Sequence, residues 1–138
     1  MKILILEDDQ ERIKCFRDRF SEIKKDDLSL ITYIENAQIC IDMLSRNKFD
    51  FLFLDHDLDG RVYVSTDEEN TGSEVARWIE RNSDKLVSES GKKTRIIIHS
   101  YNEYGANYML DKIEGSVWIP SVWEEPFFDE IKEELDNI

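Results

Sequence analysis

Three short apolar runs, each closed by ionisable or polar residues, constrain this chain more than any other feature. Ile3-Leu4-Ile5-Leu6 ends in Glu7-Asp8-Asp9, Phe51-Leu52-Phe53-Leu54 in Asp55-His56-Asp57, and Arg95-Ile96-Ile97-Ile98 in His99-Ser100. An apolar run this short, without alternation, reads as a strand buried on both faces that delivers a polar cluster to its tip.

The segments between the runs read as helices. Ile13, Phe16, Phe20 and Ile23 recur at helical spacing. Residues 28–34 read as a second strand, and Asn36 as the cap of a helix carrying Ala37, Cys40, Ile41 and Leu44. A polar connection over 57–70 is long, and long connections are often functional. Thr71-Gly72-Ser73-Glu74 has capping-box spacing and opens a helix through Val75 and Ile79. Tyr104, Tyr108 and Met109 mark a fourth helix, and Phe128, Ile131 and Leu135 a fifth. Residues 117–122 form the last strand, at an edge or bulged because Pro120 cannot donate to a ladder. Strands alternating with helices predict an α/β fold: a five-stranded parallel sheet, order 2-1-3-4-5, with helices on both faces. Ligands bind such sheets at the carboxyl ends of the strands.

The length of 138 residues suits one domain over 1–138. Lys and Arg number 18 and Asp and Glu 31, a net charge of −13. That excludes an extended nucleic-acid surface or an anionic membrane as partner, because both need positive surface, but leaves room for one small phosphorylated ligand. No apolar run is long enough for a membrane span, and the apolar start is too short for a signal peptide. Cys15 and Cys40 lack metal-binding spacing, so they are expected as reduced core residues of a cytoplasmic protein. No pattern sets an oligomeric state.

Both histidines of the chain, His56 and His99, fall at strand tips on one edge of the expected sheet. Each has a plain reading as a cap for nearby backbone, and a functional one as a titratable group facing carboxylates. Asp8 and Asp9 equally read as caps of the first helix. Held together, Asp8, Asp9, Asp55 and Asp57 repel one another, which favours a hard divalent cation such as Mg²⁺ or Mn²⁺ among them.

These residues resemble the receiver domain of two-component signalling over essentially the whole chain. In that pattern Asp8 and Asp9 match the metal-binding pair and Asp55 the phosphoacceptor. Ser100 or His99 falls where receivers carry Ser or Thr, and Glu125-Pro126-Phe127 stands where they read Lys-Pro-Phe. Glu125 reverses the charge that senses a phosphoryl group, which argues against ordinary phospho-signalling. The strings LDHDL (54–58), TG (71–72) and HSYNEYGA (99–106) are similar to the cyclic-phosphate-processing receiver family. That resemblance implies a phosphoesterase for a cyclic phosphate, such as ADP-ribose cyclic phosphate or a nucleotide cyclic phosphate, in RNA repair or nucleotide processing.

Opening a cyclic phosphodiester needs an activated water, a protonated leaving oxygen and a counter-charge. His56 and His99, with Asp55, are the expected catalytic residues, the imidazoles standing on opposite sides of one phosphorus. Asp8, Asp9, Asp55 and Asp57 are the expected cation ligands. Ser100, Asn102, Gly105, Thr71 and Gly72 are the expected substrate contacts, the last two at a helix start where free N–H groups attract anions. Arg61 is placed to reach phosphate from the long loop but reads first as a solvated charge, and Trp118 and Trp123 read as packing on the edge strand. Two rival readings remain: a non-catalytic pseudo-receiver binding a protein or nucleotide, and a phosphorylated response regulator.

Overall fold

The computed structural model describes residues 2–22 and 31–136. Its elements run β1 (Ile3–Leu6), α1 (Gln10–Phe20), β2 (Ile31–Ile34), α2 (Ala37–Arg46), β3 (Phe51–Leu54) and α3 (Gly72–Arg81). Then follow β4 (Arg95–Ile98), α4 (Glu103–Lys112), β5 (Val117–Trp118) and α5 (Phe127–Asp136). The strands form one sheet of order β2-β1-β3-β4-β5, every pair parallel. The order and the parallel pairing are those expected from the sequence. Ile23 and the start of the second strand at 28–30 lie outside the described residues.

Side-chain alternation divides the core in two. Leu4, Leu6, Leu52, Leu54, Ile96 and Ile98 face α2, α3 and α4, against Cys40, Leu44, Val75, Ile79 and Met109. Ile3, Ile5, Phe51, Phe53 and Ile97 face α1 and α5, against Phe16, Phe20, Phe128 and Ile131. Aromatic rings dominate this second face; Phe16 meets Phe53 edge-on at 5.3 Å, and Phe20 meets Phe128 at 4.9 Å. Burying each such ring contributes about 1.5–3 kcal/mol. Cys40 is buried in the first face, while Cys15 is only partly covered; both are free.

Helix starts follow the local chemistry. Asn36 caps α2 by accepting from the N–H of Ile39, and Thr71 caps α3 by accepting from that of Glu74. The reciprocal arm of the box reaches one residue further back: Glu74 accepts from the N–H of Asn70 at 2.7 Å. The fifth strand is shorter than expected, two residues in place of 117–122. The N–H of Ile119 still reaches the Ile98 carbonyl at 2.8 Å, but Pro120 has none to offer, and Val122–Glu124 coils into a 3₁₀ turn. Among the described residues, no helix is long and apolar enough to cross a membrane.

Candidate active-site cleft

The three central strands end in register. Leu6 lies beside Leu54, and Leu54 beside Ile98, so Glu7, Asp55 and His99 follow at one level. The ladder continues into them: the N–H of Asp55 donates to Leu6 at 3.1 Å and that of His99 to Leu54 at 2.9 Å. Period-two alternation then decides which residues meet. Glu7, Asp55 and His99 continue the face that carries Ile5, Phe53 and Ile97, and their ligand atoms lie within 4.8 Å of one another.

All three side chains are buried, at 0–1% exposure. His99 Nε2–H donates to Glu7 Oε1 at 3.2 Å. Glu7 Oε2 accepts from the N–H groups of Asp8 and Asp9 at 3.0 and 3.2 Å. Arg12, in the first turn of α1, bridges the two carboxyls, 3.6 Å from Glu7 and 3.4 Å from Asp55. The His99 ring is wedged edge-on against Phe16, with Trp123 beyond, and its Nδ1 has no hydrogen-bond partner among the described residues.

The two carboxyls titrate in opposite directions. Burial, and then the charge of Glu7, hold Asp55 well above the usual carboxylate range, with Arg12 opposing. Burial also pushes Glu7 up, but its hydrogen bond and charge interaction with His99, the Asp9 N–H and Arg12 outweigh it, so Glu7 lies below its ordinary value.

Above this cluster opens a cleft of about 170 Å³, lined by Asp8, Asp9, Arg12, Asp55, Asp57, Gly60, Arg61, Val62, Ser100 and Tyr101. It gathers all four carboxylates expected to hold a cation. Each also has structural employment. Asp9 caps α1 by accepting from Glu11 and Arg12. Asp8 accepts from the Gly60 N–H at 2.8 Å and, through burial and the charges of Glu7 and Asp9, holds its proton more tightly than usual. Asp57 accepts from Tyr63 and Val64 and so folds the long loop back onto the sheet. The donor set suits a hard cation in chemistry, being carboxylate oxygen throughout. Asp8 and Asp9 stand on the cleft wall, while Asp55 is already engaged by Arg12 at 3.4 Å.

The structure does not bring the two imidazoles to one phosphorus. His56 follows Asp55 by one residue and so points to the opposite face, against α3 and α4. It is fully buried, with Nδ1–H donating to Asp57 at 2.8 Å and Nε2 accepting from the Ser73 hydroxyl at 2.7 Å. Burial and the nearby Arg61 and Arg77 lower its pKa against the pull of Asp57, which keeps it neutral.

Four expected substrate contacts also lie behind the cleft. Asn102 caps α4 through Gly105 N–H and donates to Asp57 and to the Val64 carbonyl, both at 3.1 Å. A Cβ on Gly105 would fall on the His56 ring, and one on Gly72 would sit 2.9 Å from His56 Cα. The Gly72 N–H is spent on the His56 carbonyl at 2.9 Å, and Thr71 Oγ1 on the loop and its cap. Both glycines let backbone pack closely against His56. Ser100 alone of the five lines the cleft.

Sequence reasoning passed over Glu7 as a partner of Asp55, and Arg12 and Tyr101 as cleft residues. Alternation along β1 carried the signal for Glu7. Arg61 is not a solvated charge: it donates to the carbonyls of Leu58, Glu69 and Asn70 and pins the loop.

Solved receiver domains share the fold. The phosphorylated cyanobacterial phytochrome response regulator RcpA matches at 15% identity and a TM-score of 0.61, over 96% of this chain and 89% of that one. The Mn²⁺-bound response regulator Rcp1 matches at 13% and 0.58, over 95% and 88%. A CheY-like receiver domain from Methanospirillum hungatei JF-1 matches at 17% and 0.57, over 99% and 94%. No curated protein matches the sequence. The family described as "Cyclic-phosphate processing Receiver domain" matches residues 3–115. With a CheY-like five-stranded sheet and an acidic cleft at its carboxyl edge, the chain belongs to the cyclic-phosphate processing receiver domain family.

Proposed function

We propose that this protein is a phosphoesterase that opens a small cyclic phosphate, such as a nucleotide cyclic phosphate or ADP-ribose cyclic phosphate, with the help of a divalent cation. One observation carries the reading: a single cleft places the buried Asp55 carboxyl beside two guanidinium side chains, Arg12 and Arg61, at the sheet edge where such folds bind ligands.

Arg12 and Arg61 hold the phosphoryl oxygens as fixed positive charge, with the Ser100 hydroxyl beside them. Asp8 and Asp9 would hold a divalent cation, Mg²⁺ or Mn²⁺, at the mouth, and when bound it would supply further positive charge and lower the pKa of a nearby water. The water loses its proton to solvent at the open mouth, and its oxygen bonds to phosphorus as one ester P–O bond breaks. Asp55 gives its proton to the departing oxygen, and the product is a ring-opened phosphate monoester. Asp55 then regains a proton from water. Glu7 keeps that proton on Asp55 through like-charge repulsion, and His99 acts through Glu7 by fixing its carboxylate. His56 positions the loop through Asp57.

Phosphorylation of Asp55 is the rival reading. Against it, no lysine is among the residues lining the cleft, and Glu125 is exposed with its carbonyl turned to Arg19. The test is a hydrolysis screen of cyclic phosphates with and without Mg²⁺ or Mn²⁺. Ring opening that needs the cation supports the reading; a screen with no product under any condition removes it.

A further inference from the structure

Among the described residues, three exposed large apolar side chains stand on the two loops that border the cleft. Val62 and Tyr63 are 77% exposed on the loop between β3 and α3, and Tyr101 46% on the loop between β4 and α4; Ile39, Tyr104 and Val117 are exposed on α2, α4 and β5. Val62 and Tyr101 line the cleft itself. A site that recognised only phosphate would need polar groups at its rim, not aromatic ones. The cleft volume of about 170 Å³ is also below the roughly 300–1,000 Å³ of sites that enclose a whole small molecule. It takes a cyclic phosphate and part of its sugar, and whatever the sugar carries must lie across the rim.

Tyr63 is held there deliberately. Its φ of 50° is left-handed, which is uncommon for a bulky residue. The Asp57 carboxylate holds the turn by accepting from the N–H groups of Tyr63 and Val64 at 2.6 and 3.1 Å. Tyr101 is fixed from behind: the Arg12 guanidinium covers its ring at 4.9 Å, and its hydroxyl bonds to Ser121. Asn102, the residue after Tyr101, ties the two loops together through Asp57 and the Val64 carbonyl.

Resting on the cyclic-phosphate reading above, we propose that this rim is a nucleobase subsite, formed by Val62 and Tyr63 on one side and Tyr101 on the other. The substrate is then a nucleotide, not a bare sugar phosphate. Stacking on aromatic side chains tolerates any base, because every base offers a π-face.

The test compares two ligands by calorimetry on the intact protein: adenosine cyclic phosphate, and the same cyclic phosphate on methyl riboside, which lacks a base. The wild type should bind the adenosine compound at least about tenfold more tightly. Tyr63→Asn, chosen because Asn tolerates the left-handed backbone, should remove most of that preference. Equal affinity for the two ligands overturns the subsite, as does failure to bind either, or a preference undiminished in both Tyr63→Asn and Tyr101→Ala. Ring opening is scored separately by phosphorus NMR. Base-dependent binding without opening leaves the subsite standing and removes the phosphoesterase reading. Opening of both compounds with equal affinity removes the subsite alone.

Discussion

Glu7 and His99 meet in a hydrogen bond of 3.2 Å although 92 residues separate them, and neither side chain is exposed. With Arg12 they form the charged floor under Asp55. Two charges or dipoles taken out of water this completely persist only because each satisfies the other. His99→Phe should keep the ring contacts with Phe16 and Trp123 while leaving Glu7 without its donor. We expect a loss of roughly 2–4 kcal/mol in denaturant unfolding, partly offset because the partnerless Nδ1 is removed as well. An unchanged midpoint would mean that the pair does not hold the floor.

His56 supplies a pH dependence with a definite sign. Its folded pKa lies below the value of about 6.5 expected of the unfolded chain, first because burial disfavours the imidazolium. The unfolded state therefore binds the proton more readily. Stability is complete above about pH 6.5 and is lost as pH falls through the lower, folded value. Denaturant midpoints measured from about pH 7.5 down to about pH 5.5 should fall in the wild type, with a shallower slope in His56→Gln. Equal slopes would assign the effect to other groups.

Gly105→Ala and Gly72→Ala should both destabilise the protein, the second more. At Gly105 the new methyl meets the His56 ring, which can shift slightly; at Gly72 it meets the Asp55 carbonyl and lies 2.6 Å from Met109 Sδ. Overpacking of this kind costs about 1–3 kcal/mol, and more where backbone is the wall. Melting temperatures near wild type for Gly72→Ala would show that α3 does not pack as closely on the tip of β3 as described.

The fold was legible because each strand is a short apolar run and each helix has a 3.6-residue stripe or a cap, as with Asn36 and Thr71. What blurred was β5, where Pro120 ends hydrogen bonding after two residues but leaves an apolar sequence reading on. In the site, the carboxylates of Asp8, Asp9, Asp55 and Asp57 were legible as a cluster, since strand tips of a parallel sheet converge. The pairing of His56 with His99 was not, because convergence of tips says nothing about faces. Counting alternation from Phe53 and Ile97 puts Asp55 and His99 on one face and His56 on the other. Arg12 was hidden, and Arg61 read first as solvated, for a different reason: long basic side chains on a helix turn and a loop are usually solvated, and only the folded loop shows where they reach.

The central claim is that Asp55 opens a cyclic phosphate in this cleft. The direct measurement is phosphorus NMR of an adenosine cyclic phosphate incubated with wild type and with Asp55→Asn, each with Mg²⁺ and with chelator. Conversion to a ring-opened monoester by the wild type, dependent on the cation and slowed about 10²–10⁴-fold in Asp55→Asn, is the predicted result. An Asp55→Asn protein that opens the ring at the wild-type rate, or a wild type that never does, would contradict it.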